Sequence, residues 1–377
     1  MKNLTCIDLF CGCGGFTLGM QRAGFSIVAA IDFNFEALTV FRKNLPEILH
    51  ALQRDLTDFL PQELSTLIGT DHVDTIVGGP PCQGFSRVRQ VDGANNGKRM
   101  VADHRRHLYR DFLGYVRFFK PKVFVIENVL GIRSASGGEY FARVQNEARS
   151  LGYRVHAQVE DCVALGLPQK RFRQLFIGTR VDFPDYFRTK LKAAPRASFE
   201  PPLWEAIGDL PSVKAGEGSE SRPYDLERRK AHVETFGRRY LYSVLEIKKA
   251  ANLTAHRARP HSERDLRDFQ RLREGESSAV AMRRGVEFEF PYDKRTFKDR
   301  YTRQSRWTAC STIVAHLSKD GLMFVHPTQN RSLTPREAAR IQSFPDWFEF
   351  PVARTHQFRV IGNAVPPLGE PVGIALN

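Results

Sequence analysis

A cysteine stands directly after two prolines in the segment 78–86 (GGPPCQGFS). The apolar run 73–77 before it predicts a buried strand, so Cys82 lies just past the strand's carboxyl end on a backbone stiffened by Pro80 and Pro81. Ligands of open α/β sheets bind at that edge. A cysteine there can be a nucleophile if its thiolate is stabilised, whereas a lone cysteine is more often a core residue.

Other polar residues follow other predicted strands. Glu127 ends a strand predicted over 122–126, at the same edge of the sheet as Cys82. It could be only a cap for the next helix, but two reactive groups at one edge are typical of an active site. Arg171 and Arg173 lead into another strand and alternate along it, so both guanidinium groups are expected to face the same way.

The amino-terminal segment predicts a turn that binds a nucleoside. An apolar run is followed by Gly12, Gly14 and Gly15 and then by a helical pattern. Such glycines let the backbone approach a ligand, although a tight turn needs glycine on steric grounds alone. Asp32, at the end of the second predicted strand, can accept hydrogen bonds from ribose hydroxyls, and Asp55 can contact the base. Nicotinamide dinucleotides and S-adenosylmethionine (AdoMet) remain equally open on these residues.

Strands and helices alternate along the first half of the chain. Helical spacing is clear over 35–44, 108–119 and 140–150, and further strands are predicted over 26–31 and 153–159. This rhythm predicts an α/β fold with a mostly parallel sheet. Between the third strand and the helix at 108, residues 83–104 lack apolar periodicity and are expected to form a mobile loop, since loops of this length are usually functional lids.

The character of the chain changes from about residue 185. The segment 185–306 is rich in proline, glycine and charge and predicts a smaller, irregular domain. The α/β alternation is expected to return near 311–317. Thr334 and Glu337, on either side of a proline, predict a capping box at the start of a helix.

The net charge is concentrated in two segments. The 377 residues carry a formal charge of +14. Residues 83–122 hold ten Lys and Arg against three Asp and Glu, and residues 185–306 hold 27 against 19, so the rest of the chain is nearly neutral. Such localisation is expected of a nucleic-acid footprint rather than of general solubility. No apolar run is long enough to cross a membrane and the amino terminus lacks a signal peptide, which predicts an intracellular protein.

The six cysteines are too sparse for a disulfide framework. Cys6, Cys11 and Cys13 lie close together, but no His or Cys pair stands elsewhere at zinc spacing. Reduced thiols and no metal site are therefore expected.

Several motifs in order resemble those of the cytosine-C5 DNA methyltransferases along nearly the whole chain. They are residues 8–15 (DLFCGCGG), 79–86 (GPPCQGFS), 127–129 (ENV), 169–173 (QKRFR), 331–346 (RSLTPREAARIQSFPD) and 362–367 (GNAVPP). The segment 185–306 has no match to these motifs, and in this family that position holds the target recognition domain.

The resemblance implies a class I AdoMet-dependent methyltransferase fold, which is Rossmann-like with helices on both faces of the sheet, plus a smaller recognition domain. It divides the chain into a catalytic domain (1–184), a target recognition domain (185–306) and a return to the catalytic domain (307–377). AdoMet is then the cofactor and S-adenosylhomocysteine the product. The implied cofactor-binding residues are Asp8, Phe10, Gly12, Gly14, Gly15, Asp32, Phe33, Asp55, Leu56, Pro80, Asn363, Ala364 and Val365.

The resemblance also implies that Cys82 attacks C6 of cytosine, which breaks the aromaticity of the ring and makes C5 nucleophilic. Glu127, if protonated or hydrogen-bonded to N3, would offset the charge that develops on the ring. Arg171 and Arg173 would orient O2 and the adjoining phosphate. The base that removes the C5 proton is not identified by the sequence.

The cytosine must leave the duplex for this chemistry, so base flipping is expected. The basic loop after Cys82 can close over the flipped base, and the recognition domain can hold the major groove. The residues assigned to DNA contact are Ser86, Arg87, Arg89, Gln169 and Arg303.

The leading hypothesis is a sequence-specific DNA methyltransferase of a prokaryotic restriction-modification system, a cytoplasmic, nucleoid-associated monomer that acts on double-stranded DNA beside a cognate endonuclease. RNA cytosine-C5 methylation by the same chemistry is the first alternative. A nucleic-acid-binding protein that has lost catalysis is the second. The hypothesis of an NAD-dependent oxidoreductase assigns no function to the Pro-Pro-Cys segment or to the two basic segments.

Overall fold

The computed structural model describes residues 4–81, 107–180, 200–290 and 301–367. The chain divides into two compact units. The first comprises Met1–Cys162, Phe172–Pro195 and Ala364–Asn377, and the second comprises Val163–Arg171 and Arg196–Asn363. The predicted division by function, at residues 184 and 306, rests on the motifs and stays a prediction.

A seven-stranded sheet forms the centre of the first unit. Its strands are β1 (Thr5–Leu9), β2 (Ser26–Asp32), β3 (Ala51–Gln53), β4 (Thr75–Gly78), β5 (Val123–Val129), β6 (Arg154–Asp161) and β8 (Phe172–Thr179). The order is β3-β2-β1-β4-β5-β8-β6, in which β8 alone is antiparallel to its neighbours. The direction of winding reverses between β1 and β4, the position where open α/β sheets bind ligands.

Helices cover both faces of this sheet, as expected for a class I methyltransferase fold. They are α1 (Gly15–Arg22), α2 (Phe35–Asn44), α3 (Pro61–Ile68), α4 (Leu108–Phe119) and α5 (Glu139–Ser150). Short 3₁₀ helices, Leu130–Arg133 and Ala135–Gly138, follow β5. Successive residues of a strand point to opposite faces, and so Ile76 packs into the core beneath α4 while Val77 packs beneath α1. Val125 lies on the α1 face too, which places Glu127 there.

The second unit is built from short elements. Its strands are β7 (Gln169–Lys170), β9 (Gly218–Arg222), β10 (Leu253–Arg257) and β11 (Cys310–Ser311). Its α-helices are α6 (Leu203–Ile207), α7 (Leu226–Phe236), α8 (Glu263–Gln270), α9 (Ser278–Arg283), α10 (Pro335–Ile341) and α11 (Arg354–Asn363). A π-helix (Tyr240–Val244) and 3₁₀ helices (Ile247–Lys249, Ala315–Ser318 and Leu322–Phe324) complete it.

Two expectations for this unit have different outcomes. The capping box is confirmed, because the Thr334 hydroxyl accepts the Glu337 N–H and the Glu337 carboxylate accepts the Thr334 N–H. Near 311–317, where the α/β alternation was expected to return, the structure has only the two-residue strand β11 and a 3₁₀ helix. Pairing ends at Ser311, since the N–H of Ile313 donates to the Gln169 side chain at 2.7 Å rather than to a neighbouring strand.

Buried arginines organise the second unit around α10. Arg340 contacts the carboxylates of Asp209 and Asp346, and Arg331 makes a two-oxygen pair with Glu337. These charges are almost fully buried, so each needs its partner, and losing one partner would leave an uncompensated buried charge.

Several predictions fall outside the described residues. They concern the loop 83–104, Cys82, Ser86, Arg87 and Arg89. In the part of the chain that is described, no helix is long and apolar enough to span a bilayer.

Candidate active site

The turn between β1 and α1 is held against the end of β2. The Gly12 N–H donates to Asp32 Oδ2 at 2.8 Å, and the Cys11 N–H donates to the Ile31 carbonyl at 3.0 Å. Phe10 and Gly12 both take left-handed backbone angles, with φ of 59° and 56°. A Cβ at Gly12 would meet no atom within 4 Å, so the space beside this glycine is open. The turn therefore has the shape expected of a ligand cradle.

Asp32 is fixed at the carboxyl end of β2 by two backbone donors. Its Oδ1 accepts the Asn34 N–H at 2.8 Å, and Asn34 in turn caps α2 by accepting the Ala37 N–H. Burial raises the pKa of Asp32, and the backbone hydrogen bonds oppose that shift. The neighbouring Phe33 leaves 59% of its surface exposed. A carboxylate held beside an exposed ring suits a ribose and its base.

Asp55 occupies the turn after β3. Its Oδ1 accepts both the N–H and the hydroxyl of Thr57, at 3.0 and 2.9 Å, while the adjacent Leu56 is buried. The carboxylate is solvent-exposed and so stays accessible to a ligand.

Asp8 carries a buried oxygen that lacks a partner within the described ranges. Its Oδ2 accepts the Thr17 hydroxyl at 2.5 Å, but Oδ1 has no hydrogen bond there. Burial raises the pKa of Asp8 to about 7. A buried carboxyl of this kind is suited to a cationic ligand, because a nearby positive charge would stabilise its ionised form.

The backbone that leads to Cys82 is held by Asn128. Its Nδ2 donates to the Pro80 carbonyl at 3.2 Å, and its Oδ1 accepts the Val129 N–H at 2.9 Å. Further back, a Cβ at Gly78 would lie 2.1 Å from the Leu9 carbonyl oxygen, so only glycine fits where β4 passes β1. The backbone that leads to Cys82 is thus held by β5 at Pro80 and by β1 at Gly78.

Glu127 and Arg173 meet across the antiparallel pair of β5 and β8. Glu127 stands opposite Leu175, which makes Arg173 its diagonal neighbour on the same face. Arg173 Nε lies 2.7 Å from Glu127 Oε1, and the two side chains are 15% and 12% exposed. Glu127 Oε1 accepts no hydrogen bond from any described residue, so its contact with Arg173 is an electrostatic pair rather than a hydrogen bond.

Gly79 leaves room for the other oxygen of Glu127. An added Cβ would stand 3.3 Å from Glu127 Oε2 and 3.6 Å from Val365 Cγ2. Val365, a predicted cofactor residue, packs against the core under α1. The structure therefore brings Gly79, Glu127, Arg173 and Val365 together. Of these, Gly79 lies three residues before the predicted nucleophile, Cys82.

Arg171 is placed differently from Arg173. It stands between β7 and β8, belongs to the second unit and is buried, with Nη1 donating to the Ile313 carbonyl at 3.1 Å. The expectation that the two arginines alternate along one strand is therefore wrong. Asn363 ends α11 in the second unit, where it is exposed, while Ala364 belongs to the first unit.

Two residues assigned to DNA contact are buried in the second unit. The Gln169 amide bonds to Gln342 Oε1 and to the Ile313 N–H. Arg303 donates to the carbonyls of Leu272, Phe269, His326, Pro327 and Gln329 and to the Asn330 side chain. These bonds argue against the assignment, because the polar atoms that DNA would need are engaged inside the unit.

Comparison with known proteins identifies the family. The model of the C-5 cytosine-specific DNA methylases matches residues 4–370. The chain belongs to this family.

The type II methyltransferase M.DdeI of Desulfomicrobium norvegicum is 34% identical over 96% of this chain and 85% of its own length. M.AgeI of Thalassovita gelatinovora is 32% identical over 96% of both chains. The crystal structure of a putative DNA modification methyltransferase encoded within an E. coli prophage has a TM-score of 0.75 and 26% identity, covering 99% of this chain and 98% of that one.

Asn128 is the residue of this methylase site that sequence reasoning missed. It lies within the ENV motif at 127–129, but no role was predicted for it. Its position beside Glu127 could have predicted a role, since neighbouring residues of a strand point to opposite faces and can therefore contact different groups. The contact with Pro80 itself depends on how β4 and β5 pair.

Proposed function

We propose that this chain is a sequence-specific DNA (cytosine-5-)-methyltransferase that uses AdoMet and the nucleophile Cys82. The observation that carries the proposal is the pairing of Glu127 with Arg173 against Gly79, three residues before Cys82. An acid and a guanidinium at this place can bind the polar edge of a pyrimidine ring while a thiolate adds to it.

The residues around the β1–α1 turn fit AdoMet. Asp8 has a buried oxygen to offer to a cation, Asp32 a fixed carboxylate for ribose hydroxyls, and Phe33 an exposed ring for the base. AdoMet, when bound, supplies a methyl group that is electrophilic because it is attached to a sulfonium. The chain's own contribution is to orient this group and to exclude water from it.

Covalent catalysis explains the use of cysteine. Attack of the Cys82 thiolate on C6 forms a carbon–sulfur bond and moves an electron pair of the ring toward C5 and N3, which makes C5 nucleophilic. Arg173, and Glu127 when it carries a proton to donate to N3, offset the negative charge that develops on the ring. After C5 has been methylated, a base takes the C5 proton, and the electron pair left behind re-forms the double bond and expels the Cys82 thiolate. No described residue is assigned as this base.

The substrate follows from the chemistry and from the charge. C6 of a stacked cytosine cannot be reached, so the base must flip out of the duplex, at a cost of a few kcal/mol. The chain's net charge of +14 favours a polyanionic partner. The names of the type II relatives support a role on host DNA beside a cognate endonuclease. The proposed form of the protein is a monomer in the prokaryotic cytoplasm.

Labelled methyl transfer tests the proposal. The protein and Cys82→Ala are each incubated with labelled AdoMet and either unmethylated duplex DNA or tRNA, and bisulfite sequencing then maps the modified cytosines. The proposal predicts label in duplex DNA at one sequence context, and none with Cys82→Ala. Label in tRNA alone would favour the RNA alternative. Binding of DNA without transfer would favour a protein that has lost catalysis.

A further inference from the structure

One exposed aromatic surface of the second unit has no role in the site described above. Trp307 directly follows the predicted target recognition domain (185–306) and leaves 62% of its surface in solvent. With a side chain of this size, on the order of 150 Å² of mostly apolar surface faces water. Isolated exposed side chains need no explanation, but this one is braced by several neighbours.

A row of rings supports Trp307 from inside the unit. The ring of Phe236 at the end of α7 lies 6.1 Å from Trp307 at an interplanar angle of 29°. Behind it the buried His232 stacks on Phe236 at 4.9 Å and 19°. The indole therefore rests on a stack anchored in the interior, so little side-chain entropy remains to be lost when a ligand covers its outer surface.

An arginine is fixed beside the same ring. The Arg306 guanidinium carbon lies 5.4 Å from the Trp307 ring and 5.8 Å from the Trp204 ring, and the Glu274 carboxylate contacts its Nε at 3.1 Å. Glu274 also accepts the Arg306 backbone N–H at 2.6 Å. Neither terminal nitrogen of Arg306 has a hydrogen bond to another described residue, which leaves those donors available to an external anion. We call Trp307, Phe236 and Arg306 the Trp307 platform.

We propose that the Trp307 platform is a DNA-binding surface, on which Trp307 stacks against a nucleobase of the substrate and Arg306 contacts an adjacent phosphate. This inference rests on the proposed function, because the occupant it names is the DNA substrate. A nucleobase that base flipping has exposed stacks readily on an aromatic ring whatever its identity, and Arg supplies the phosphate contact. Charge complementarity supports DNA as the occupant, since the exposed Arg238 and Arg239 lie two and three residues after Phe236 in the chain.

The test measures duplex binding for variants of the full-length chain. The probe is a fluorescently labelled duplex that carries the methylated context mapped by bisulfite sequencing. Trp307→Ala is expected to weaken binding about 5- to 150-fold, the range measured for loss of one stacked base, and Trp307→Phe to restore part of it. Arg306→Gln should lower the slope of log affinity against log salt by about 0.9, as expected for one lost phosphate contact.

A matched control and a spectroscopic signature separate binding from folding. Leu226, at the start of α7, is 67% exposed and lies outside the platform, so Leu226→Ala should bind DNA like the parent chain. Stacking also predicts that DNA quenches tryptophan fluorescence in the parent and much less in Trp307→Phe, since Trp204 and Trp347 are only partly exposed.

Two results would overturn the inference while methyl transfer by the parent chain still supports the proposed function. The first is binding by Trp307→Ala within twofold of the parent. The second is equal weakening by Trp307→Ala and Leu226→Ala, which would indicate a general loss of structure. If Trp307→Ala instead changes only the molecular mass in solution, the platform is a contact between copies of the chain. An absence of methyl transfer by the parent would refute the proposed function itself.

Discussion

Coupling between Glu127 and Arg173 can be measured by a double-mutant cycle. The two charges lie 2.7 Å apart and are 12% and 15% exposed. At an effective dielectric constant of 20, their gross attraction is about 6 kcal/mol, most of which is offset by desolvation. We expect Arg173→Ala and Glu127→Gln each to lower the free energy of unfolding by about 2 kcal/mol, and the double variant to lose less than the sum, with a coupling of about 1 to 2 kcal/mol.

The pair of Arg143 and Glu139 is the matched control. It joins the same residue types in the same unit, four residues apart on α5, but its side chains are 41% and 52% exposed. Its coupling should stay below about 0.5 kcal/mol, as is usual for exposed helical pairs.

Hydrogen exchange of the β5 and β8 amides is the appropriate assay. All three tryptophans, Trp204, Trp307 and Trp347, belong to the second unit, so their fluorescence would not report on this sheet. Exchange protection gives the opening free energy locally. A coupling no larger than that of the control pair would refute the view that Glu127 and Arg173 act as a unit.

Three further variants test individual parts of the account. Asn128→Ala frees the Pro80 carbonyl, and misplacement of the segment before Cys82 should lower kcat about 10- to 100-fold with little change in AdoMet affinity by calorimetry; an equal loss of both would contradict a positioning role. Burial raises the pKa of Asp8 to about 7, so between about pH 4 and pH 7 the folded chain holds a proton on Asp8 that the unfolded chain releases. Asp8→Asn removes this titration. The parent should therefore lose stability relative to Asp8→Asn as the pH rises from about 4 to 7, by at most about 4 kcal/mol, and cofactor-free melting temperatures that show a constant difference would contradict this. Arg303→Met should destabilise the second unit by about 3 kcal/mol or more, seen as a lower fluorescence melting temperature, because six hydrogen-bond acceptors lose their donor. Unchanged melting with lost DNA affinity would restore its predicted role in DNA contact.

Local patterns in the sequence predicted much of the first unit and the start of one helix, α10, in the second. Helix α2 has the predicted bounds, Phe35–Asn44, because apolar periodicity and an asparagine cap are both local signals. The turn at Gly12 and the capping box at Thr334 were likewise readable from residues a few positions apart.

Contacts between distant segments were not readable in this way. The pairing of Glu127 with Arg173 depends on the register of β5 against β8, which no local pattern sets. Residue type misled the assignment of Arg303 and Gln169. Arginine and glutamine are usually exposed, but here tertiary burial supplies enough partners to keep both inside the second unit.

Covalent trapping with 5-fluorocytosine DNA tests the central claim most directly. Fluorine at C5 cannot leave as a proton does, so the adduct between the enzyme and C6 should persist once the methyl group has been transferred. In the presence of AdoMet, the parent chain is predicted to form a denaturation-resistant complex whose modified peptide contains Cys82. Cys82→Ala should form none. A stable complex through another residue, or methylation by the parent without any trapped complex, would contradict the account.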